Sequence, residues 1–209
     1  MAKKDKKEAT VSALKYSALW GVLLFWILLV VDMVTKVMAD AYFSQADAPN
    51  KIDIIKGWLA LTITYNDGIA YGIGGESATW VKILVIALTG VIMLTLAILY
   101  FKIDKRRTWM KTGFVFVVSG GVGNLLDRLY YRVWAKDCLY GVRDMVDLSR
   151  FGFAVCNFAD FFICAGAVII VLALLFFDKD AIFPSGRYKA LAEEYEQKEV
   201  AKKAQEEEK

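Results

Sequence analysis

Long apolar runs separated by short polar segments dominate the chain. A helix needs about 20 mostly apolar residues to cross a hydrocarbon core about 30 Å thick. Four stretches meet this requirement: residues 16–38, 80–101, 109–126 and 158–177. Aromatic residues, which favour the membrane–water interface, lie at several of their ends: Trp80, Tyr100, Trp109 and Phe177. The pattern therefore predicts an all-α membrane protein with four transmembrane helices.

The segment between the first two apolar runs has a different period. Residues 58–65 (WLALTITY) alternate and are rich in strand formers, and the turn signal Asn66-Asp67-Gly68 follows them. We therefore predict a small extracytoplasmic β-sheet within about residues 52–74.

The predicted organisation of the chain is a basic N-terminus over 1–15, a four-helix membrane domain over 16–178 and a charged tail over 179–209. The tail is Lys/Glu/Ala-rich and is expected to be solvated, helical or disordered, and without chemistry.

The basic residues around the apolar runs predict an orientation in the membrane. Four lysines precede the first run, and a second basic group lies in the short connection after the second run. Because cytoplasmic segments are enriched in Lys and Arg, we expect both termini in the cytoplasm. Basic residues also occur between the third and fourth runs, but the N-terminal and short-loop charges are expected to dominate. The first run is too long for a secretory signal and lacks a small-residue cleavage site, so it is expected to be retained.

Composition removes several classes of function. The 209 residues are 57% hydrophobic, with a mean hydropathy of +0.42 and a net charge of only +3 spread over several segments, which gives no nucleic-acid-binding stripe. The absence of histidine excludes Ser-His-Asp triads, Cys-His dyads and the H-E-x-x-H zinc site. The three cysteines lack C-x-x-C spacing and suggest packing residues rather than disulfides or metal ligands. We predict no metal and no cofactor.

Polar residues gather at one end of the predicted helices. Ionisable groups within or beside membrane helices are costly, which makes them candidates for function. On the predicted topology, all of the following lie near the outer face: Asp32, Lys36, Asn66, Asn124, Asp127, Arg128, Asp144, Asp147, Asn157 and Asp160. Such convergence at one depth is not expected from solvation alone.

Structural explanations exist for individual members of this cluster. Asp32 and Lys36 have the i,i+4 spacing of a simple ion pair. Asn157 and Asp160 resemble a helix N-cap with an acidic third residue. Asp127 is expected to lie at the surface or to pair with the arginine that follows it. The glycine-rich stretch SGGVG over 119–123 is typical of close helix packing.

Without histidine, paired carboxylates are the simplest hydrolytic machinery. An ionised carboxylate takes a proton from the attacking water while a neutral one donates to the carbonyl oxygen. Burial and like-charge repulsion both favour such a shared proton. A serine–lysine dyad is the alternative, but Ser119 is the only serine near the cluster and no lysine is clearly close to it.

Five motifs occur in order along the chain: DMVTK at 32–36, YNDGIAYG at 65–72, GGVGNLLDR at 120–128, VDL at 146–148 and CNFAD at 156–160. With their placement relative to four apolar runs, they resemble the lipoprotein signal peptidase family, the type II signal peptidases of bacteria. The resemblance covers about residues 16–177.

The resemblance implies a membrane aspartic endopeptidase of the bacterial cytoplasmic (inner) membrane, active near its outer face without a metal. Its expected substrate is a diacylglyceryl-modified prolipoprotein, cleaved on the N-terminal side of the lipidated cysteine by aspartate-activated water. The resemblance also implies a membrane-lipid environment and no nucleic-acid partner. We expect the protein to be a monomer. The motifs assign Asp147 and Asp160 as the catalytic pair. They assign further residues to line or support the site: Asn66, Asn124, Arg128, Asn157, Asp32, Lys36, Gly68 and Gly120.

Three alternatives stay open. The segment over 130–145 is longer than the family's usual linker and contains Asp144, which competes with Asp147 for the first catalytic position. The apolar residues on both sides of Asp147 favour Asp147. A proton or cation transporter is a second alternative, but it would spread acidic residues through the membrane, and the middles of the last three runs have almost no charge. An inactive relative that binds lipopeptides, or a structural membrane subunit, is the third.

Overall fold

The structure is a computed structural model that describes residues 2–68, 79–103, 107–135, 140–177 and scattered positions in the tail, with side chains from residue 19 onward. The described residues contain four long α-helices. They are α1 (Ala2–Phe43), α2 (Thr79–Lys102), α3 (Thr108–Tyr130) and α4 (Phe158–Leu175). The four predicted helices are confirmed. The first is longer than expected at both ends, because no proline or glycine interrupts the flanking polar residues.

Three of the described helices are long and apolar enough to cross a membrane by length and composition: Leu19–Phe43, Thr79–Lys102 and Phe158–Leu175. Helix α3 is also 23 residues long, but its glycines and polar residues lower its apolar content. It packs against the other three helices. Its role as a fourth span stays a prediction.

Glycines allow α3 to approach α4 closely. A Cβ at Gly113 would lie 3.0 Å from the carbonyl oxygen of Gly166, and one at Gly120 only 2.3 Å from that of Ala159. The predicted packing role of the glycine-rich stretch is therefore confirmed at Gly120. Close backbone contact of this kind lets van der Waals packing hold membrane helices together.

A three-stranded antiparallel sheet lies beside the helices, in the order β1 (Ile52–Ile55), β2 (Leu59–Asn66) and β3 (Val142–Asp147). The predicted sheet is confirmed through residue 66, and residues 69–74 lie outside the described residues. The sequence did not predict β3. Ala60 pairs with Asp147 and Thr64 with Asp144, with an irregularity in β2 between these pairs.

The sheet lies at one end of the bundle, which we call the polar end. Helices α1 and α3 finish there, and α2 and α4 begin there. The buried apolar cluster lies farther along the helices and includes Leu28, Phe114 and Ala173. Large apolar side chains such as Trp20, Val91 and Val168 are exposed on the helix surfaces, as in a protein that faces lipid. Most of residues 179–209 lie outside the described residues, so the predicted division into a basic N-terminus, a membrane domain and a tail stays a prediction.

Candidate active site

Two carboxylates, Asp144 of β3 and Asp160 of α4, meet at the polar end around the side chain of Asn157. Asn157 Nδ2 donates to Asp144 Oδ1 at 2.6 Å, and the Asn157 backbone N–H donates to Asp160 Oδ2 at 3.0 Å. One asparagine thus holds both acids.

The local fold explains why Asn157 has this position. It is the N-cap of α4: its side chain accepts from the Asp160 backbone N–H at 3.1 Å, and Asp160 completes the capping box. Just before it, Cys156 pairs antiparallel with Val146, which turns the chain back from β3 into α4. The predicted capping role of Asn157 and Asp160 is confirmed, and the same geometry brings Asp160 towards β3.

Asn124 of α3 fixes Asp160 from the other side. Its Nδ2 donates to Asp160 Oδ1 at 2.9 Å, while its Oδ1 accepts from Lys36 Nζ at 2.8 Å and from Asn157 Nδ2 at 3.0 Å. Because an ammonium can only donate, Lys36 requires the oxygen of this amide to face it. The amide nitrogen is then directed at Asp160.

Lys36 is fully buried and joins two further carboxylates. Its Nζ lies 2.8 Å from Asp32 Oδ2 and 3.5 Å from Asp127 Oδ2. The predicted Asp32–Lys36 pair is therefore confirmed. Asp32 Oδ1 also accepts from the Ala159 backbone N–H at 2.8 Å, which ties α1 to the first turn of α4. Paired burial of this kind is what makes an ionised lysine tolerable in a low-dielectric interior.

Asp127 and Arg143 form a contact that the sequence did not reveal. Arg143 Nη2 lies 2.6 Å from Asp127 Oδ1, and the Arg143 backbone N–H donates to Asp127 Oδ2 at 3.1 Å. The expected pairing of Asp127 with Arg128 is wrong, because adjacent residues on a helix do not face each other. Asp127 is instead buried towards α1 and β3, where it anchors the strand that carries Asp144.

The remaining predicted residues line the same site. Asn66 Nδ2 donates to Asp144 Oδ2 at 3.3 Å, and its Oδ1 accepts from the Gly68 N–H at 3.0 Å, which forms the predicted turn. Arg128 donates from Nη2 to the Gly68 carbonyl at 3.0 Å and from Nη1 to the Asn124 carbonyl at 3.2 Å. The structure thus brings Asn66, Arg128 and Gly68 to the edge of the Asp144–Asp160 pair.

Burial sets the protonation of Asp144. Only 4% of its surface is exposed. Burial, with the nearby Asp160 charge as a second cause, raises the pKa of Asp144 to about 7, and donation from Asn66 and Asn157 opposes this only in part. Asp144 is therefore poised to carry a proton near neutral pH.

Asp147 lies on the opposite side of the strand. Successive strand residues alternate between faces, so positions three apart point in opposite directions. Its carboxylate accepts from Lys51 Nζ at 2.6 Å and from the Ser149 N–H at 2.8 Å, and these bonds, Lys51 first, lower its pKa to about 2. The predicted pairing of Asp147 with Asp160 therefore needs correction, since Asp144 occupies that place. The sequence missed this because Asp147 has an apolar residue on each side, which fits the family motif, whereas Asp144 follows Arg143.

No group of three or more His, Cys, Asp or Glu side chains with the geometry of a metal site occurs among the described residues. Lys36 and Arg143 are instead the cations that contact the buried carboxylates. The arrangement offers a proton donor, a proton acceptor and fixed amide donors, which suits hydrolysis by acid–base catalysis.

Known proteins provide an independent comparison. The profile of a family described as signal peptidase (SPase) II matches residues 24–176. A lipoprotein signal peptidase of Fusobacterium nucleatum is 30% identical over 76% of this chain and 87% of its own length. One of Bifidobacterium longum is 34% identical over 74% of this chain and 79% of its own. A solved structure described as a bacterial membrane enzyme has a TM-score of 0.60 and 25% identity, covering 74% of this chain and 87% of that one.

Proposed function

From the premise that the chain belongs to the signal peptidase II family of membrane peptidases, we propose that it is an aspartic endopeptidase whose catalytic pair is Asp144 and Asp160. The observation that carries this assignment is the shared contact of Asn157 with both carboxylates, at 2.6 Å and 3.0 Å. Its substrates are diacylglyceryl-modified prolipoproteins, which it cleaves on the N-terminal side of the lipidated cysteine.

The two acids have different roles because their surroundings differ. Asp160 lies in the first turn of α4, where the helix dipole favours a negative charge, and two N–H groups donate to its oxygens. It is the carboxylate that accepts a proton from water. Asp144, whose pKa is raised to about 7, is the acid that donates a proton to the scissile carbonyl oxygen.

The proton transfers balance over the full reaction. Water loses a proton to Asp160 as its oxygen attacks, and the carbonyl oxygen gains the proton of Asp144, which yields a neutral tetrahedral intermediate. On collapse, Asp160 gives its proton to the departing amine of the cysteine, and Asp144 recovers a proton from the intermediate's hydroxyl. The asparagines that contact the pair hold its geometry through both steps.

The position of the pair at the end of the helices supports cleavage at the membrane surface. We infer that the polar end is the outer face of the bacterial inner membrane and that both termini are cytoplasmic, since α1 begins with a lysine-rich segment and finishes at the polar end. The lipid of the substrate stays in the bilayer while its peptide enters between the sheet and α4. A monomer contains every residue of this site.

Cleavage of a diacylglyceryl-modified prolipoprotein in lipid-containing micelles tests the proposal. Asp144→Asn and Asp160→Asn each remove one acid–base partner, and the expected loss of kcat/KM is roughly 10²–10⁴-fold. Asp147→Asn, three residues along the same strand, is the matched control and should retain nearly full activity. Thermal unfolding of each variant checks that the fold is intact.

Two results would overturn the assignment. If folded Asp147→Asn is inactive while Asp144→Asn cleaves, the pair involves Asp147. If folded wild type releases no signal peptide at all, the peptidase proposal fails and an inactive lipopeptide-binding relative becomes the better hypothesis. A transporter fits less well, because the described carboxylates of this cluster gather at one depth.

A further inference from the structure

A cluster of charged and aromatic side chains surrounds the start of the catalytic strand. Asp40 of α1 accepts hydrogen bonds from the hydroxyls of Tyr65 in β2 and of Tyr131 at the end of α3, the latter at 3.3 Å. The Arg143 guanidinium carbon is 5.5 Å from the centre of the Tyr131 ring, and Tyr65 is the partner of Arg143 across the sheet. Arg143 Nη1 lies 3.9 Å from Asp40 Oδ2. We call these four residues the arginine cluster; it joins α1, β2, β3 and the end of α3.

Arg143 is fixed to α3 by its side chain and by its backbone. The residue is only 8% exposed. Its Nη2 donates to Asp127 Oδ1 at 2.6 Å, and its Nε and its backbone N–H both donate to Asp127 Oδ2, at 3.4 Å and 3.1 Å. Three N–H groups of one residue thus donate to a single carboxylate, which holds the peptide group at the start of β3 in one place.

The catalytic acid is the next residue along the chain. Successive strand residues point to opposite faces, so Arg143 and Asp144 face different surroundings. The side chain of Arg143 belongs to the arginine cluster, whereas that of Asp144 accepts from Asn157 Nδ2 at 2.6 Å. Because these neighbouring residues share a peptide bond, a shift of the backbone at Arg143 would move the carboxylate of Asp144 relative to Asn157.

Net stability is a weak explanation for a buried arginine at this position. A buried ion pair often contributes little net stability, because the cost of removing both ions from water offsets their attraction. Arginine does present several N–H donors in one rigid planar group, so it fixes orientation better than a lysine does. Catalysis is sensitive to orientation, since a misplacement of about 1 Å can lower a rate by roughly 100-fold.

We propose that the arginine cluster is a positioning element for catalysis, in which Arg143 acts through the backbone of β3 to hold Asp144 against Asn157 and Asp160. The proposal rests on the peptidase function above and adds to it a residue whose described contacts include neither catalytic carboxylate. It differs from a purely structural role in one respect. The rate of cleavage and the protonation of Asp144 should change together when the cluster is altered.

Substitutions of Arg143 separate orientation from charge. Arg143→Lys keeps the charge and loses the planar group, whereas Arg143→Met loses both. Arg150→Lys and Arg150→Met are the matched controls, because Arg150 is an exposed arginine shortly after the same strand. Each variant is assayed in lipid-containing micelles on a diacylglyceryl-modified prolipoprotein, and thermal unfolding identifies any variant that does not fold.

The expected loss lies in kcat. Arg143→Met should lower kcat by up to about 100-fold and Arg143→Lys by roughly tenfold, because the acid is held less firmly. KM should change little, since the cluster positions Asp144 and not the substrate. Both Arg150 variants should cleave at nearly the rate of wild type.

The pH profile distinguishes positioning from support of the fold. Burial raises the pKa of Asp144 to about 7, and a carboxylate that water can reach returns towards its ordinary pKa. In Arg143→Lys, the fall of kcat/KM at alkaline pH should therefore begin about one pH unit lower than in wild type. The charged groups that act on Asp144 from α1, α3 and α4 are Lys36, Arg128 and Asp160, and this variant changes none of them.

The tyrosines provide a milder test of the same cluster. Tyr131→Phe removes the hydroxyl that donates to Asp40 and keeps the ring beside Arg143. Tyr130→Phe makes the same chemical change at a neighbouring position that is 77% exposed. Tyr131→Phe should lower kcat by roughly two- to fivefold, within the scale of one hydrogen bond, and Tyr130→Phe should not. Added to Arg143→Met, Tyr131→Phe should cause little further loss, because the hydroxyl acts through the arginine.

Two patterns would overturn the positioning proposal while leaving the peptidase function intact. If folded Arg143 variants match the Arg150 variants in kcat, the cluster does not position the acid. If their melting temperatures and kcat fall but the pH profile stays that of wild type, the cluster only supports the fold. Should Arg143→Met not fold, Arg143→Lys and Tyr131→Phe decide by the same criteria. If wild type releases no signal peptide, the peptidase function itself fails, and the positioning proposal fails with it.

Discussion

Strand β3 holds two chemically identical side chains, Asp144 and Asp147, in opposite environments. Asp144 is 4% exposed and bonded to amides, and its pKa is raised to about 7. Asp147, three residues later, is bonded to Lys51 and to the backbone of Ser149, and its pKa is lowered to about 2. The strand pleat alone separates the two faces. Neighbouring charge and burial, not residue type, therefore decide which aspartate can act as an acid.

The lysines on the two sides of the strand differ in the same way. Lys36 is fully buried and contacts Asp32, Asn124 and Asp127. Lys51 has a side chain that is 49% exposed, and it holds Asp147 alone among the described residues. The first lysine is part of the interior of the site, whereas the second closes a surface contact. Four experiments follow from this difference, beginning with the largest expected effect.

Replacing the buried lysine should be the most damaging change. Lys36→Met leaves Asp32 and Asp127 as buried carboxylates without their common cation, which should lower the free energy of unfolding by about 3–5 kcal/mol. Lys51→Met should change it very little, because exposed ion pairs contribute little. Thermal and denaturant unfolding in micelles measures both.

A second substitution tests the cause of that loss. Adding Asp32→Asn to Lys36→Met removes one of the two carboxylates that have lost their lysine partner and should recover part of the lost stability. Equal losses in the two lysine variants, or no recovery in the double variant, would contradict the contrast between a buried and an exposed pair.

The contributions of Asp144 and Asp147 to the free energy of unfolding should depend on pH with opposite signs. For Asp144 the folded-state pKa of about 7 lies above the unfolded value of 3.8, so the folded state binds its proton more tightly. The tighter proton binding stabilises the folded state fully below the unfolded pKa, and this stabilisation is lost as pH rises through about 7. Asp144→Asn removes the charge that causes this loss. The variant should gain stability relative to wild type on the alkaline side, by up to about 4 kcal/mol.

Unfolding curves for wild type, Asp144→Asn and Asp147→Asn across this pH range provide the test. Asp147→Asn should follow the alkaline decline of wild type, since Asp144 is intact in it. If the stability of wild type and Asp144→Asn stays parallel from about pH 5 to about pH 9, Asp144 does not bind a proton more tightly in the folded state.

The rate of cleavage should depend on the same proton. With Asp144 as the acid, the free enzyme loses its active form as pH rises above about 7, and kcat/KM should fall by roughly tenfold per pH unit there. Because the Asp160 charge contributes to the raised pKa of Asp144, this limb reports the two carboxylates together. The Asp147→Asn variant should show the same fall of kcat/KM with rising pH as wild type. A kcat/KM that stays level well above that pH would exclude a proton on the pair as the working acid.

The helices and the caps could be predicted because their signals are local. Apolar runs of membrane length indicate helices, i,i+4 spacing indicated the Asp32–Lys36 pair, and Asn157 with Asp160 matched a capping pattern. These features depend on neighbours within about one turn, so they are visible in a single sequence.

Strand β3 and its role could not be predicted in this way. Its sequence, VRDMVD, lacks the alternation of a half-buried strand, because Arg143 is buried against an Asp127 that lies 16 residues earlier in the chain. The local motif favoured Asp147, which has an apolar residue on each side, over Asp144, which follows Arg143. Pairing with β2 and the return of the chain through Cys156 decide which one faces α4, and neither contact is visible in the local motif.

The smallest expected effect belongs to the Lys51–Asp147 contact at acid pH. For Asp147 the folded-state pKa of about 2 lies below the unfolded value of 3.8, so its contribution is present above the unfolded pKa and is lost as pH falls through about 2. Lys51→Met should move the pKa of Asp147 back towards 3.8 and make the protein slightly more sensitive to acid. Because Lys51 is half exposed, added salt should screen the difference from wild type. Melting temperatures at about pH 3, in low and high salt, measure it. A large difference that persists in high salt would mean that Asp147 is held as tightly as the buried carboxylates, and the contrast between the two aspartates of the strand would fail.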